Sequence, residues 1–224
     1  MASRLWCIVT AGKRIFDLVL IAVLLPILIL VGGIIAVLIL ITDGRPVLYL
    51  SERMTTPTRG FKLWKFRTMK NVASDSGVSG GDKAARITRI GRILRRTHAD
   101  EIPQAWNVIA GHVSFVGPRP PLRIYVERFP EIYREVLKCR PGLTGMASFF
   151  FNRHEEWLLK DCRDAGETDA VYVRRCIPRK ARLDLIYRCN RSTWLDLWLL
   201  WLTAARIFQL PGRRKKRTRG ASND

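Results

Sequence analysis

The sequence predicts an α/β protein, mostly helical with few short strands. An N-terminal membrane helix carries a cytoplasmic domain fitted with interfacial amphipathic helices. Three observations predict this. Residues 15–41 form one long apolar run. Two short stretches behind a turn have strand character. Most of the remaining chain repeats apolar residues at helical spacing.

The run reads IFDLVLIAVLLPILILVGGIIAVLILI. At ~1.5 Å per residue it reaches about 40 Å as a straight helix, more than the ~30 Å of a bilayer core. It is too long for a signal-peptide core, and no small-residue cleavage pattern follows it. Pro26 removes a helix hydrogen bond in mid-run and bends the axis. Lys13 and Arg14 precede the run while Arg45, Arg53 and Arg59 follow it, so charge marks neither flank as the inner one. Asp17 lies inside the run and needs a partner or access to the interface. Arg14, three residues earlier, is on the same helical face and suits that pairing. Residues 1–42 therefore form either a re-entrant helix hinged near Pro26 or a single kinked crossing.

Residues 43–211 make the cytoplasmic domain. Asp43-Gly44-Arg45-Pro46 is a turn, followed by a strand over Val47 to Ser51. Phe61 to Met69 alternates apolar and basic residues as a second strand. Asn71 to Asp82 is a polar, Gly/Ser-rich loop. Ile87, Ile90 and Leu94 recur at helical spacing, surrounded by Arg86, Arg89, Arg92, Arg95 and Arg96. Pro103 to Ala110 suits a short helix stopped by Gly111, and Leu122 to Lys138 a helix interrupted at Pro130. In the last helix, Ser192 to Leu210, Trp194, Trp198 and Trp201 share a face, either as a core stripe or at a bilayer interface. The adjoining basic run favours the interface. Residues 212–224 form a basic flexible tail. No internal repeat is present.

Lys plus Arg number 39 against 19 acidic residues, a net charge of +20. The tail holds six of the basic residues, so the folded part is basic as well. Such an excess calls for a polyanionic partner: nucleic acid, an anionic lipid surface or a phosphate-bearing substrate. Five scattered cysteines with no CxxC pair exclude a zinc ribbon and fit a reducing compartment.

No Walker A loop, GxGxxG fingerprint or GxSxG elbow is present, and His98, His112 and His154 have no metal-like spacing. The segment with most chemical content is His98 to Gln104. Pro103 suits a first helical turn, which puts Asp100 and Glu101 at the helix start, where the dipole favours ionised carboxylates. Acidic residues at helix starts are common in a purely structural role. Here, however, five arginines precede the pair. The stiff loop Gly117-Pro118-Arg119-Pro120-Pro121 follows, its prolines fixing the backbone about a guanidinium suited to phosphate. Lys65 and Arg67 add charge. Carboxylates among arginines on a membrane anchor suggest Mg²⁺-assisted phosphoryl transfer. A non-catalytic, membrane-tethered basic protein gripping nucleic acid or anionic lipid would share the charge and the tail, but gives no reason for the acidic pair.

The chain resembles the monotopic phosphoglycosyl transferases, the bacterial sugar transferase family, in its minimal catalytic form. The matching residues begin with Lys13-Arg14-Ile-Phe-Asp17 and Lys65-Phe-Arg67-Thr-Met69. They continue through Arg86 to Thr97, Asp100-Glu101-Ile-Pro103-Gln104, Ser114 to Pro120 and Arg140 to Gly145. They close on Tyr187, Asn190-Arg-Ser192 and Leu195-Asp196-Leu. The resemblance implies a re-entrant helix hinged at Pro26 in a bacterial inner membrane, with the catalytic domain on the cytoplasmic face. It implies Mg²⁺ held by Asp100 and Glu101, a UDP-sugar donor and a polyprenyl (undecaprenyl) phosphate acceptor. Asp100 would form a covalent phosphosugar intermediate and release UMP, in the first membrane step of surface glycan synthesis. Glu101 would assist, and Arg119, Pro118, Pro120, Lys65, Arg67 and Arg95 would bind substrate. Anionic headgroups are expected as a partner and nucleic acid is not; a homodimer stays open, as does an inactive family scaffold. His98-Ala99 and Met146-Ala-Ser148 depart from the family pattern, and residues 149–175 carry none of these motifs.

Overall fold

The computed structural model describes residues 11–70, 78 and 80–208. The basic tail, and all but two residues of the polar loop before Gly81, lie outside the described residues.

The apolar run forms one helix, α1 (Ala11–Thr42), continuous through Pro26. Ile15, Val19, Val23, Ile27, Leu30, Ile34, Val37 and Ile41 are all exposed, and their spacing of three or four makes one outward stripe. The opposite side packs at both ends of the helix. Ile21 joins a core cluster with Phe61, Leu63, Val108, Val116, Tyr187 and Leu199, with Leu24 and Leu28 against it. Nearer the C-terminus, Ile35 and Ile39 pack with Phe66 and Leu94.

The expected Arg14–Asp17 pair does not form. Arg14 donates instead to the carbonyls of Val108 and Ile109, at 2.6 and 2.7 Å. These carbonyls end the short helix α3 (Ala105–Ile109), and the Val108 carbonyl also accepts from the Gly111 N–H at 3.0 Å. Asp17 is buried and accepts from the Ser114 hydroxyl and the Phe115 N–H, at 3.0 and 3.2 Å. Each group thus finds its partner inside the domain and not on its own helix. Lys13 contacts Asp196 and the Tyr187 hydroxyl.

After α1 the chain turns through Gly44, whose φ of 69° favours glycine. β1 (Leu48–Met54) and β2 (Gly60–Phe66) then pair antiparallel, with Leu48 opposite Phe66. Thr88 caps α2 (Arg89–Thr97), which ends on His98 in the left-handed region at φ 57°. A 3₁₀ turn over Ala99–Gln104 leads into α3. Asn107, fully buried, clamps α3 to β2 by accepting from the Trp64 N–H and donating to the Lys62 carbonyl. β3 (Ser114–Val116) and β4 (Gly142–Thr144) form a small parallel pair that sequence patterning did not reveal.

Between them α4 (Arg123–Arg128) and α5 (Pro130–Val136) are separated at Pro130 as expected. α6 (Met146–Leu159) and α7 (Ala165–Val171) follow, then a π turn at Tyr172–Cys176, α8 (Ile177–Cys189) and α9 (Thr193–Phe208). The second half has its own core, in which Tyr125, Tyr133, Leu137, Phe151, Tyr172 and Ile177 meet. On α9, Trp194, Trp198 and Trp201 are all exposed, while Leu199 on the other side is fully buried.

Candidate active site

The 3₁₀ turn after His98 places Asp100 and Glu101 in its first turn, on the floor of a cleft of about 670 Å³. Lys65, at the end of β2, donates to Oε1 of Glu101 at 2.7 Å. Arg119 donates to the same oxygen at 2.9 Å. Its loop is fixed by the backbone: the Gly117 N–H reaches the Thr144 carbonyl, and the Gly142 N–H the Pro118 carbonyl, both at 2.8 Å. A Cβ on Gly142 would come within 2.1 Å of the Gly117 nitrogen, so only glycine allows this crossing.

Burial raises the pKa of Asp100 above the usual carboxylate range. Lys65, Arg95 and Arg119 oppose that effect, while Glu101 adds to it. The expected ionising influence of a helix start is therefore outweighed. Burial also works to raise Glu101, but the adjacent Arg119 and Lys65 charges and hydrogen bonds hold it well below the carboxylate range. The Glu101 charge in turn raises Arg119. Lys65 is lowered, chiefly by burial, with Glu101 opposing. One carboxylate is thus tied into ion pairs. The other is desolvated, and among the described residues no donor hydrogen-bonds it.

The remaining expected residues divide. Arg95 lines the cleft and donates through Nε to the Thr68 hydroxyl at 2.9 Å. Arg67 also borders the cleft, but its guanidinium is bound by the carbonyls of Asp43, Gly44 and Arg45. It fastens the chain where α1 ends. Pro120 lines the cleft with its carbonyl taken by Arg53, whereas Pro118 is buried behind the loop and does not line it. Lys13, Arg14 and Asp17 are structural, joining α1 to the domain as described above.

Several lining residues escaped sequence reasoning: Arg53 on β1, Glu155 on α6, Tyr172 in the π turn, and Lys180 and Asp184 on α8. Arg53 is half-buried, and its pKa is lowered to about 10 by desolvation and by the Arg119 charge. The only available signal was the spacing of four between Lys180 and Asp184, which puts both on one helical face.

Among the described residues no group of three or more His, Cys, Asp or Glu could hold a metal ion. Two carboxylates suffice for Mg²⁺, which takes one or two together with water and substrate phosphate. The donor set fits that use. Both cations bond to Oε1 of Glu101, leaving Oε2 and the Asp100 carboxylate as hard oxygen donors.

The chain is similar to several known proteins. The exopolysaccharide production protein PSS of Rhizobium leguminosarum bv. phaseoli is 42% identical over 208 residues, covering 85% of this chain and 92% of its own length. The UDP-glucose:undecaprenyl-phosphate glucose-1-phosphate transferase of Klebsiella pneumoniae is 30% identical over 200 residues, 88% of this chain and 40% of the relative. The UDP-N-acetylgalactosamine-undecaprenyl-phosphate N-acetylgalactosaminephosphotransferase of Aeromonas hydrophila is 31% identical over 185 residues, 80% of this chain and 39% of the relative. The chain thus spans about two fifths of the length of the last two. The model of the family described as bacterial sugar transferase matches residues 8–210. That match runs from α1 through Asp100-Glu101 and Arg119 to Tyr187 and Asp196, and the chain belongs to the bacterial sugar transferase family.

Proposed function

We propose that this protein transfers a sugar-1-phosphate from a UDP-sugar to a polyprenyl phosphate at the cytoplasmic face of a bacterial inner membrane. The observation that carries this reading is the desolvated Asp100 carboxylate beside a Glu101 fixed by Lys65 and Arg119. Desolvation makes a carboxylate a better nucleophile, and the neighbouring cations favour its ionised form.

An Asp100 oxygen attacks the sugar-bearing phosphorus. The bond from that phosphorus to the bridging oxygen breaks, and UMP leaves with the electron pair. An oxygen of the polyprenyl phosphate then attacks the same phosphorus and displaces Asp100 as carboxylate, giving polyprenyl diphosphate sugar. Arg119 and Lys65 hold phosphate oxygens while keeping Glu101 in place. Asp100 and Glu101 would hold Mg²⁺, which would supply charge neutralisation at the phosphates. The relatives named for such transfers to undecaprenyl phosphate support the substrate classes.

A re-entrant anchor is supported by α1 touching the same domain near both ends, through Lys13 and Ile21 and again through Ile35 and Ile39. A helix crossing ~30 Å of hydrocarbon would hold one end clear of a domain on the other side. The outward stripe of α1 and the exposed tryptophans of α9 supply apolar surface for lipid.

The test is UMP release in Mg²⁺ from a panel of UDP-sugars with undecaprenyl phosphate. Release that disappears in Asp100→Asn supports the reading. Absence of release from a folded, membrane-bound protein across the panel overturns it.

A further inference from the structure

The cleft has a second wall of different electrical character. Lys65, Arg95 and Arg119 gather about Asp100 and Glu101 on one side. Facing the same space, α6, the π turn and α8 contribute Glu155, Tyr172, Lys180 and Asp184. Lys180 Nζ lies 2.8 Å from Glu155 Oε2 and donates to the Tyr172 hydroxyl at 3.3 Å. Asp184 is only 6% exposed, and its Oδ1 has no hydrogen-bond partner. A buried carboxylate oxygen without a donor is costly, and a ligand hydroxyl would relieve that cost. The π turn carrying Tyr172 is a distortion often found at functional positions. Carboxylates repel phosphate but accept readily from neutral hydroxyls, so this wall suits a polyhydroxylated ring.

We propose that Glu155, Tyr172, Lys180 and Asp184 bind the hydroxyls of the sugar being transferred and determine which UDP-sugar is accepted. The assignment rests on the transferase reading above and extends it. The donor carries two hydroxylated rings, the ribose and the sugar. Uridine is common to the relatives named for UDP-glucose and UDP-N-acetylgalactosamine, whereas their sugars differ. Groups that bind the shared nucleoside belong with the shared motifs. Groups that bind the variable ring belong where this chain departs from them, and Glu155 and Tyr172 both lie within residues 149–175. Burial also pushes the Asp184 carboxyl up to about 7, against the Lys180 charge and the Ala147 N–H, so near neutrality it can donate as well as accept. Buried hydrogen-bonding groups discriminate sharply, because a misplaced hydroxyl leaves them unpaired.

Saturation-transfer NMR on the full chain in nanodiscs tests this, using Asp100→Asn to hold the donor unreacted. UDP-glucose, UDP-galactose and their N-acetylated counterparts serve as probes. In the accepted donor, both uracil and sugar-ring protons receive saturation. Adding Asp184→Leu should lower sugar-ring saturation at least threefold and leave uracil saturation intact, with the UMP Kd within about twofold. On an otherwise native background the same change should reduce the kcat/KM preference for the accepted sugar at least tenfold. Tyr172→Phe, which removes one hydroxyl, should act in the same direction and decides the matter should Asp184→Leu fail to fold. Parallel loss of UMP affinity would assign the wall to the nucleotide and overturn the proposal. Unchanged sugar saturation and ranking would make the wall structural and overturn it equally. Absence of saturation on both rings in Asp100→Asn would overturn the transferase reading along with it.

Discussion

Removing the Lys65 charge tests the proposed division of labour between the two carboxylates. Asp100 must be ionised to attack, so kcat/KM falls as pH drops through its pKa in the free enzyme. Burial holds that pKa above the ordinary value, and Lys65 is the first of three cations pulling it down. Lys65→Met keeps the apolar stem and deletes the charge. A nearby opposite charge is worth ~1–3 pH units, and the low end applies because Arg95 and Arg119 remain. The acid limb of kcat/KM should therefore move up by about one unit. Since each unit is tenfold in ionised fraction, the ratio of native to variant kcat/KM should be about tenfold larger below the limb than on the plateau. Folding should suffer less. The Lys65–Glu101 contact is 17% and 18% exposed, and Arg119 stays on the same oxygen. The loss should be about 1–2 kcal/mol rather than the ~3–5 of a stranded buried charge. The assay is UMP release from pH 5 to 9, with thermal melting alongside and Lys65→Arg to restore the charge. A ratio independent of pH, or a limb that moves down, refutes the reasoning.

Glu101→Gln bears on stability. Glu101 sits below its ordinary value when folded, so its contribution is present above an unfolded pKa of about 4.3 and is lost as pH falls further. The melting temperature of the variant should therefore decline less steeply than the native one below about pH 5, as followed by circular dichroism. Lys13→Met leaves Asp196, whose side chain is 6% exposed, with the Tyr187 hydroxyl but without its counter-charge, and should cost about 3–5 kcal/mol. The double variant with Asp196→Asn should recover most of that in the same melts. Deleting residues 212–224 should weaken sedimentation with anionic liposomes and leave binding to zwitterionic ones unchanged, at about 1 kcal/mol per basic residue held near the surface.

Much of the fold was legible because its signals are local. The apolar run, the break at Pro130 and the polar faces around Ile90 and Leu94 each follow from spacing within one helix. β3 and β4 were not legible, since each has three residues and their pairing depends on glycines that let Gly117 and Gly142 touch. The Arg14–Asp17 expectation failed for a related reason. Helical spacing describes neighbours within α1, whereas the partners chosen, Val108, Ile109, Ser114 and Phe115, lie about a hundred residues away. The bonds of Arg67 were equally hidden: sequence shows a basic residue two positions from Lys65, but not the three carbonyls at the exit of α1 that its guanidinium meets.

The half of the site legible in sequence was the half built from motif residues. Asp100, Glu101, Lys65 and Arg119 show their charge, spacing and stiff backbone in the sequence itself. The opposite wall had no such signature. Glu155 and Tyr172 sit in a stretch without motifs, and a glutamate and lysine 25 positions apart in sequence look like ordinary surface residues until α6 and α8 bring them to 2.8 Å. This asymmetry has a chemical source. Phosphoryl transfer demands the same few charges whatever the sugar, so the groups performing it keep a recognisable pattern. Groups that bind hydroxyls can come from any polar side chain on any element facing the cleft, and only the packed structure brings them together.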